Sequence, residues 1–320
     1  MRRLAAILLL LCATTHCVLS IYYVNTSYLD LHKYAQGTER EPFQRRLLMA
    51  PILRWAESNR LLQRAAARYG ANVAQPEPMS AAKLACIVFS LIVLNGFGLW
   101  TIRASEQLSI RHWWLLWAIL LAILYASYAA RYEQTLWYPY DIPHLVLFGL
   151  GTILILSNRP TPFIAVFAVD ALMRETSVFL VALALITQFR SRAWRAAAAA
   201  CAVLWALSRL LAIHLYPNGA YSWNGLHWYT EIKPWHLPQL FSIVGFLWLP
   251  VWLGVKYLTR QERLALYGAS AMMLLTFYFA TWNETRAWSE WSVLFAILAA
   301  VQLERSFAGA SNPMTVDRTG

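Results

Sequence analysis

The feature that most constrains this chain is a succession of apolar runs, each about 16 to 22 residues long, from Leu4–Tyr22 through to Trp288–Leu303. A helix rises about 1.5 Å per residue, so runs of this length cross or nearly cross a hydrocarbon core of about 30 Å. Between the first and last run lie Ala82–Ile102, Trp113–Ala129, Ile142–Ser157, Phe163–Ile186, Ala196–Tyr216, Leu240–Tyr257 and Leu264–Thr281. The pattern predicts an all-α polytopic integral membrane protein with about ten membrane segments, one pair of them broken or re-entrant, and both termini in the cytoplasm. Composition agrees: 59% hydrophobic against 13% charged residues is too apolar for a soluble domain. Residues 1–305 then form a single transmembrane domain, with 23–80 as its first external loop. The polar stretch 306–320 has no apolar period and is expected to be a disordered cytoplasmic tail.

The run Phe163–Ile186 carries Asp170, Arg174 and Glu175 in its middle. Ionisable groups at membrane depth are costly, so they face a bundle interior or a watery cavity and mark a functional site. On an unbroken helix Asp170 and Arg174 would sit one turn apart and neutralise each other. The alternative is two half-length helices meeting at Met173–Thr176. Arg159 precedes the run, and Arg190, Arg192 and Arg195 follow it. Cationic flanks on both ends favour the broken form, a hairpin that enters and leaves on the cytoplasmic side with Arg174-Glu175-Thr176 at its tip.

The basic start, Met1-Arg2-Arg3, orients the chain with the first loop outside. That loop opens with Asp30 and Tyr34, one helical turn apart. Then comes Pro42-Phe43-Gln44-Arg45-Arg46-Leu47-Leu48, followed by Pro51. Leu48, Ile52, Trp55, Leu62, Ala66 and Tyr69 fall near one helical face, with Arg54, Arg60, Arg64 and Arg68 elsewhere. This predicts an amphipathic juxtamembrane helix kinked or split at Pro51. The arginines from Arg54 onward suit a surface of anionic lipid, whereas Arg45 and Arg46 are candidates for an anionic head group.

Later external loops add further candidates. Asp141 lies in Tyr140-Asp141-Ile142-Pro143-His144 and suits an interfacial turn and a substrate contact equally; His144 reads as a helix-end residue rather than a ligand. Pro217–His236 is rich in aromatic and amide groups, which stack on sugars but also favour the interface. Glu284 and Arg286 precede the last run, with Glu290 one turn beyond. Acids and arginines thus recur on one side of the membrane. The sixteen Trp and sixteen Tyr suit interfacial belts and cavity linings alike. The formal charge of +11 is read as attraction to anionic lipid, with no nucleic-acid partner, since no reader motif accompanies it. Cys12, Cys17, Cys86 and Cys201 lie in apolar runs without metal-ligand spacing and are read as packing residues.

Carboxylates beside arginines at an external membrane surface suit transfer from a lipid-linked phosphate. Arginine clamps the phosphate and stabilises the leaving group, and a carboxylate takes the proton of an attacking hydroxyl. No phosphate-cradling Gly-rich loop, His-Glu-x-x-His or Gly-x-Ser-x-Gly is present, which argues against nucleotide, zinc or serine hydrolysis. The chain resembles a small member of the GT-C superfamily of polytopic glycosyltransferases. The likeness rests on Asp30 and Tyr34 beyond the first membrane helix, on juxtamembrane helices in the first loop, and on the Arg174-Glu175-Thr176 tip. Pro42-Phe43-x-x-Arg46-x-Leu48 and Glu284-x-Arg286 are similar to patterns in uncharacterised bacterial membrane proteins of that kind.

The resemblance implies a polyprenyl-phosphate sugar as donor and inversion at the sugar carbon, at the extracytoplasmic face of a bacterial inner membrane. The acid of the first loop would be the general base or would support a divalent metal. The expected catalytic residues are Asp30 and Glu175. Tyr34, Arg45, Arg46, Asp141, Arg174, Glu284 and Arg286 are expected to bind substrate. With no external soluble domain, the acceptor would be a lipid-linked glycan or another membrane component. The rival readings are a polymerase, flippase or transporter subunit in surface-polysaccharide assembly, and a non-catalytic membrane partner.

Overall fold

The computed structural model describes residues 2–41, 43–70, 77–129, 136–217, 241–279 and 285–310. Within them the protein is all-α apart from one two-residue parallel pairing, β1 (Thr26–Ser27) with β2 (Leu136–Trp137), in which Thr26 faces Leu136. The main helices are α1 (Arg2–Val24), α5 (Ala81–Gln107), α6 (Trp113–Leu124), α7 (Asp141–Leu156), α8 (Pro160–Asp170), α9 (Val178–Gln188) and α10 (Arg192–Leu215). Three of these, α1, α5 and α10, are long and apolar enough to cross a membrane by length and composition. They are the only such helices among the described residues, and α7, α8 and α9 are shorter apolar helices.

The first loop folds as short helices, α2 (Leu31–Gln36), α3 (Met49–Ser58) and α4 (Arg60–Gly70). The amphipathic stretch divides at Asn59 rather than at Pro51. Pro51 sits in the first turn of α3, where its missing amide has no intrahelical partner to lose. The Asn59 side chain instead accepts from the amides of Leu61 and Leu62 at 3.0 and 3.2 Å and starts α4. The buried face is Met49, Leu53, Ala56 and Ala66, while Trp55 and Tyr69, expected on it, are exposed.

Two expected spans take a different form. The described part of Leu240–Tyr257 is not one helix but a 3₁₀ turn (Ile243–Phe246), α11 (Trp248–Leu253) and a second 3₁₀ turn (Val255–Tyr257). Val244 and Gly245 there have φ of 47° and 64°, which ends any right-handed helix. A Cβ on Gly245 would lie 3.0 Å from the Ile123 backbone, so only glycine lets this chain close on α6. In the last expected span, Trp288 to Trp291 belong to a 3₁₀ segment (Thr285–Trp291) that precedes α13 (Ser292–Ala310). That helix runs into the stretch expected to be a disordered tail. The remaining long helix is α12 (Arg260–Phe279).

The broken run has the hairpin form. Asp170 ends α8, residues 171–174 make the turn, and Glu175–Ser177 form a 3₁₀ turn leading into α9. Both open ends gather beside the end of α7. Gln188 Nε2 donates to the Ile155 carbonyl at 3.0 Å, and Trp194 Nε1 donates to Asn158 Oδ1 at 2.6 Å. Phe163 packs on Trp194 with ring centroids 5.3 Å apart. The tip reaches the start of α7, where Asp170 and Thr176 both meet His144. On α10 it meets Trp205 and, furthest along, Ser208 and Arg209, which donate to the Ala171 carbonyl at 3.2 and 2.5 Å. The helix continues six residues further, roughly 9 Å. Gly151 of α7 makes the close approach of α9 feasible, since a Cβ there would lie 2.7 Å from Leu180 Cδ1.

Candidate functional site

Around the hairpin tip the chain assembles a polar centre from five separated segments. Its core is His144, whose Nδ1 lies 2.7 Å from Asp170 Oδ1 and whose Nε2 lies 2.9 Å from Glu290 Oε2. All three side chains are buried. The two acceptors demand either an imidazolium between two carboxylates or a neutral ring beside one protonated acid. Thr176 Oγ1 donates to Glu290 Oε2 at 2.6 Å, so Glu290 has a second partner. The remaining oxygens, Asp170 Oδ2 and Glu290 Oε1, have no hydrogen-bond partner among the described residues.

Arg174 lies beside this core. Its guanidinium comes to 4.0 Å from Glu290 Oε2, only 14% of its side chain is exposed, and its Nε is buried with no hydrogen-bond partner. The Asp170–Arg174 ion pair expected of an unbroken helix is not formed: the Arg174 amide still donates to the Asp170 carbonyl at 3.2 Å, but Arg174 itself is extended, with φ −154° and ψ 149°. Asp170 pairs with His144 instead.

The next residue, Glu175, faces the first loop. Arg46 Nε donates to it at 3.1 Å, and Arg46 Nη1 donates to the Tyr140 hydroxyl. The guanidinium stacks over the Tyr140 ring at 4.5 Å. Burial opposes the charge of Arg46, but Glu175 and the neighbouring phenols outweigh it and hold its pKa above the ordinary value. Tyr34 donates its hydroxyl to the Arg46 carbonyl and so fixes the backbone that carries the arginine. Two bonds from Leu47 and Leu48 amides to the Leu172 carbonyl, 2.8 and 3.3 Å, tie this loop to the hairpin tip. Trp205 Nε1 donates to the Glu175 carbonyl at 2.9 Å from the α10 side. Arg209 holds the Ala171 carbonyl and has no carboxylate partner among the described residues.

The expected site residues thus divide. Glu175, Arg174, Arg46 and Tyr34 come together at the tip. Arg45 pairs with Glu41 at 2.7 Å, outside the tip contacts. Asp141 is buried in the first turn of α7, where Oδ2 accepts from the Tyr138 amide at 3.1 Å and closes the turn. Asp30 is exposed and caps α2, accepting from the amides of His32 and Lys33 at 3.0 and 3.1 Å. Glu284, and the side chain of Arg286, lie outside the described residues.

Sequence reasoning missed Asp170, His144, Glu290, Thr176 and Arg209 as members of one centre. Asp170 carried a signal, an acid deep in an apolar run; the separations of 26 and 146 residues from His144 carried none. No group of three or more metal-ligating side chains among the described residues could hold a metal ion. The geometry gives a reason at the centre itself, since the two carboxylates take opposite nitrogens of His144 and the ring stands between them. Comparison with protein-family models, with curated proteins and with solved structures finds no match.

Proposed function

We propose that this chain is a membrane glycosyltransferase of the GT-C kind, moving a sugar from a polyprenyl-phosphate donor to a lipid-linked or membrane-associated acceptor on the extracytoplasmic side. On this reading the short helices and the re-entrant hairpin complete about ten membrane segments of a bacterial inner-membrane protein that serves polysaccharide assembly. The observation that carries the reading is Arg174. A largely buried guanidinium with an orphaned Nε and its nearest carboxylate at 4.0 Å is an under-satisfied cation, and a phosphate oxygen is the partner it suits. Arg46 and Arg209 stand on the other flank of the same tip and could share that phosphate. A donor that drew Arg46 away from Glu175 would leave Glu175 as the base for an acceptor hydroxyl. Of the two expected bases, Glu175 rather than Asp30 is the one beside arginines.

The test uses purified full-length protein with a short-chain polyprenyl phosphate as binding probe and a panel of polyprenyl-phosphate sugars as donors. Arg174→Gln should lower probe binding at least tenfold, as befits loss of a charge-assisted phosphate contact. Glu175→Gln should bind the probe and lose about a hundred- to ten-thousand-fold in transfer. Unchanged probe binding in Arg174→Gln would overturn the phosphate assignment. Binding without transfer from any donor in the wild type would favour the flippase or transporter reading, which a charged re-entrant hairpin also suits.

A further inference from the structure

At the opposite end of the hairpin, where α9 closes against the start of α12, the protein has a cavity of about 720 Å³. It is open to the outside and lined by Gln188, Arg190, Arg260 and Gln261, with Ile186 and Leu264 among its apolar wall. We infer that this cavity is a binding site for the head group of an anionic phospholipid from the adjoining leaflet. The inference does not depend on the glycosyltransferase reading.

Charge is the first argument. Arg190 and Arg260 have no ion-pair or hydrogen-bond partner among the described residues. In the two stretches that meet here, 178–195 and 254–264, Glu262 is the only acidic residue. It is already committed, since Arg305 donates to it from Nη1 and Nη2 at 2.6 and 2.9 Å, and the Thr259 amide donates at 2.7 Å. No carboxylate of these two stretches is therefore left to neutralise the two lining arginines, and basic pockets between membrane helices are where anionic lipid head groups settle.

Shape is the second. Gln188 and Gln261 both donate through Nε2 to the Ile155 carbonyl, at 3.0 and 3.3 Å, which anchors the back wall to the end of α7. Deeper in, a Cβ on Gly268 would come 3.0 Å from Ile186 Cδ1, so α9 and α12 touch there and close the floor. That contact is eight residues, or roughly 12 Å, from Arg260 along the helix. The cavity is therefore a pocket at the helix ends and not a channel between the helices.

The surroundings identify the source of the anion. Phe189, at the mouth, is 63% exposed, and Leu185 and Ile186 beside it are 36% and 41% exposed. On α10, the next helix, Val203, Leu207 and Leu210 are exposed as well. A free phosphate would have no use for such apolar surface. A phospholipid would lay its acyl chains along it while its phosphate met the arginines.

The test reconstitutes the full-length chain in nanodiscs of phosphatidylcholine with a minor share of phosphatidylglycerol, and native mass spectrometry then counts the phosphatidylglycerol retained. Arg190→Gln and Arg260→Gln should each reduce retention about fivefold, and both together more than tenfold, as expected for the loss of one interfacial cation each. Arg192→Gln removes an exposed arginine that does not line the cavity and should change retention less than twofold. Equal losses in all three variants would show a diffuse surface charge effect and overturn the site. So would displacement of the lipid by millimolar inorganic phosphate, which would make the cavity a site for free anions. Because both lining arginines are exposed, the variants should remain monodisperse, and retained lipid in a monodisperse double variant would refute the inference.

Discussion

Replacing His144 by Phe is the sharpest probe of the buried centre. The ring volume is kept, and so is the edge contact with Phe148, whose centroid lies 5.7 Å from that of His144. What is lost is a partner at 2.7 Å for Asp170 and one at 2.9 Å for Glu290. Removing one partner of a buried charged pair typically costs about 3–5 kcal/mol. The two acids do not share that cost equally. Glu290 keeps the Thr176 hydroxyl at 2.6 Å and Arg174 at 4.0 Å. Asp170 keeps no side-chain hydrogen bond, because its other oxygen already has none among the described residues. Most of the loss should therefore sit on Asp170. Adding Asp170→Asn to His144→Phe should recover at least half of the lost stability, leaving an unpaired amide that costs about 1–3 kcal/mol. Adding Glu290→Gln should recover less, since it also weakens the contacts to Thr176 and Arg174. Thermal unfolding in one detergent, followed by circular dichroism, gives the four stabilities. A neutral His144→Phe, or better recovery from Glu290→Gln than from Asp170→Asn, would refute the reasoning.

Two further outcomes follow from contacts elsewhere. Arg46→Lys should resemble Arg46→Ala in thermal unfolding, with a loss of about 2–4 kcal/mol in each, because one ammonium cannot reproduce a fork that reaches Glu175 from Nε and Tyr140 from Nη1; restoration of wild-type stability by lysine would contradict this. In α5, Gly98→Ala should destabilise by about 1–3 kcal/mol, since the new Cβ would fall 2.1 Å from Trp117 Cε2. Gly96→Ala, which meets nothing within 4 Å, should be neutral or slightly stabilising in the same melt.

The hairpin was legible because charge at membrane depth has few solutions. On a membrane reading Asp170, Arg174 and Glu175 are expected to turn away from lipid, and basic flanks on both sides of the run favour a return to the same side. The break runs from residue 171 through the 3₁₀ turn Glu175–Ser177, so it includes the expected junction Met173–Thr176 and begins two residues before it. What the charges pair with was not legible. The one-turn rule offered Arg174 to Asp170, but the rule presupposes a helical backbone at both residues, and Arg174 is extended. The stretch Leu240–Tyr257 misled for a related reason. Its hydropathy suits a spanning helix, and hydropathy is blind to the positive φ of Val244 and Gly245 that closes the chain on α6. Asp30 carried its ordinary meaning in plain sight. An aspartate directly before a helical pattern is a capping signal, and capping is what it does.

The arrangement at the tip separates two uses of charge that the sequence runs together. Asp170 and Glu290 are joined through His144 and lie buried inside the protein, where their bonds to the ring tie α7, the hairpin and the 3₁₀ segment before α13 together. Arg174 and Glu175 stand one residue apart at the rim of that same centre, and each is held differently. Glu175 is balanced by Arg46, a residue of the loop that the Leu172 carbonyl fastens to the tip. Among the described residues Arg174 has only Oε2 of Glu290, at 4.0 Å, which His144 and Thr176 already occupy. Glu290 Oε1 has no hydrogen-bond partner among the described residues, yet the approach of Arg174 is to Oε2, which His144 and Thr176 already share. A largely buried cation whose carboxylate contact among the described residues is at 4.0 Å is the part of the centre that its own contacts satisfy least.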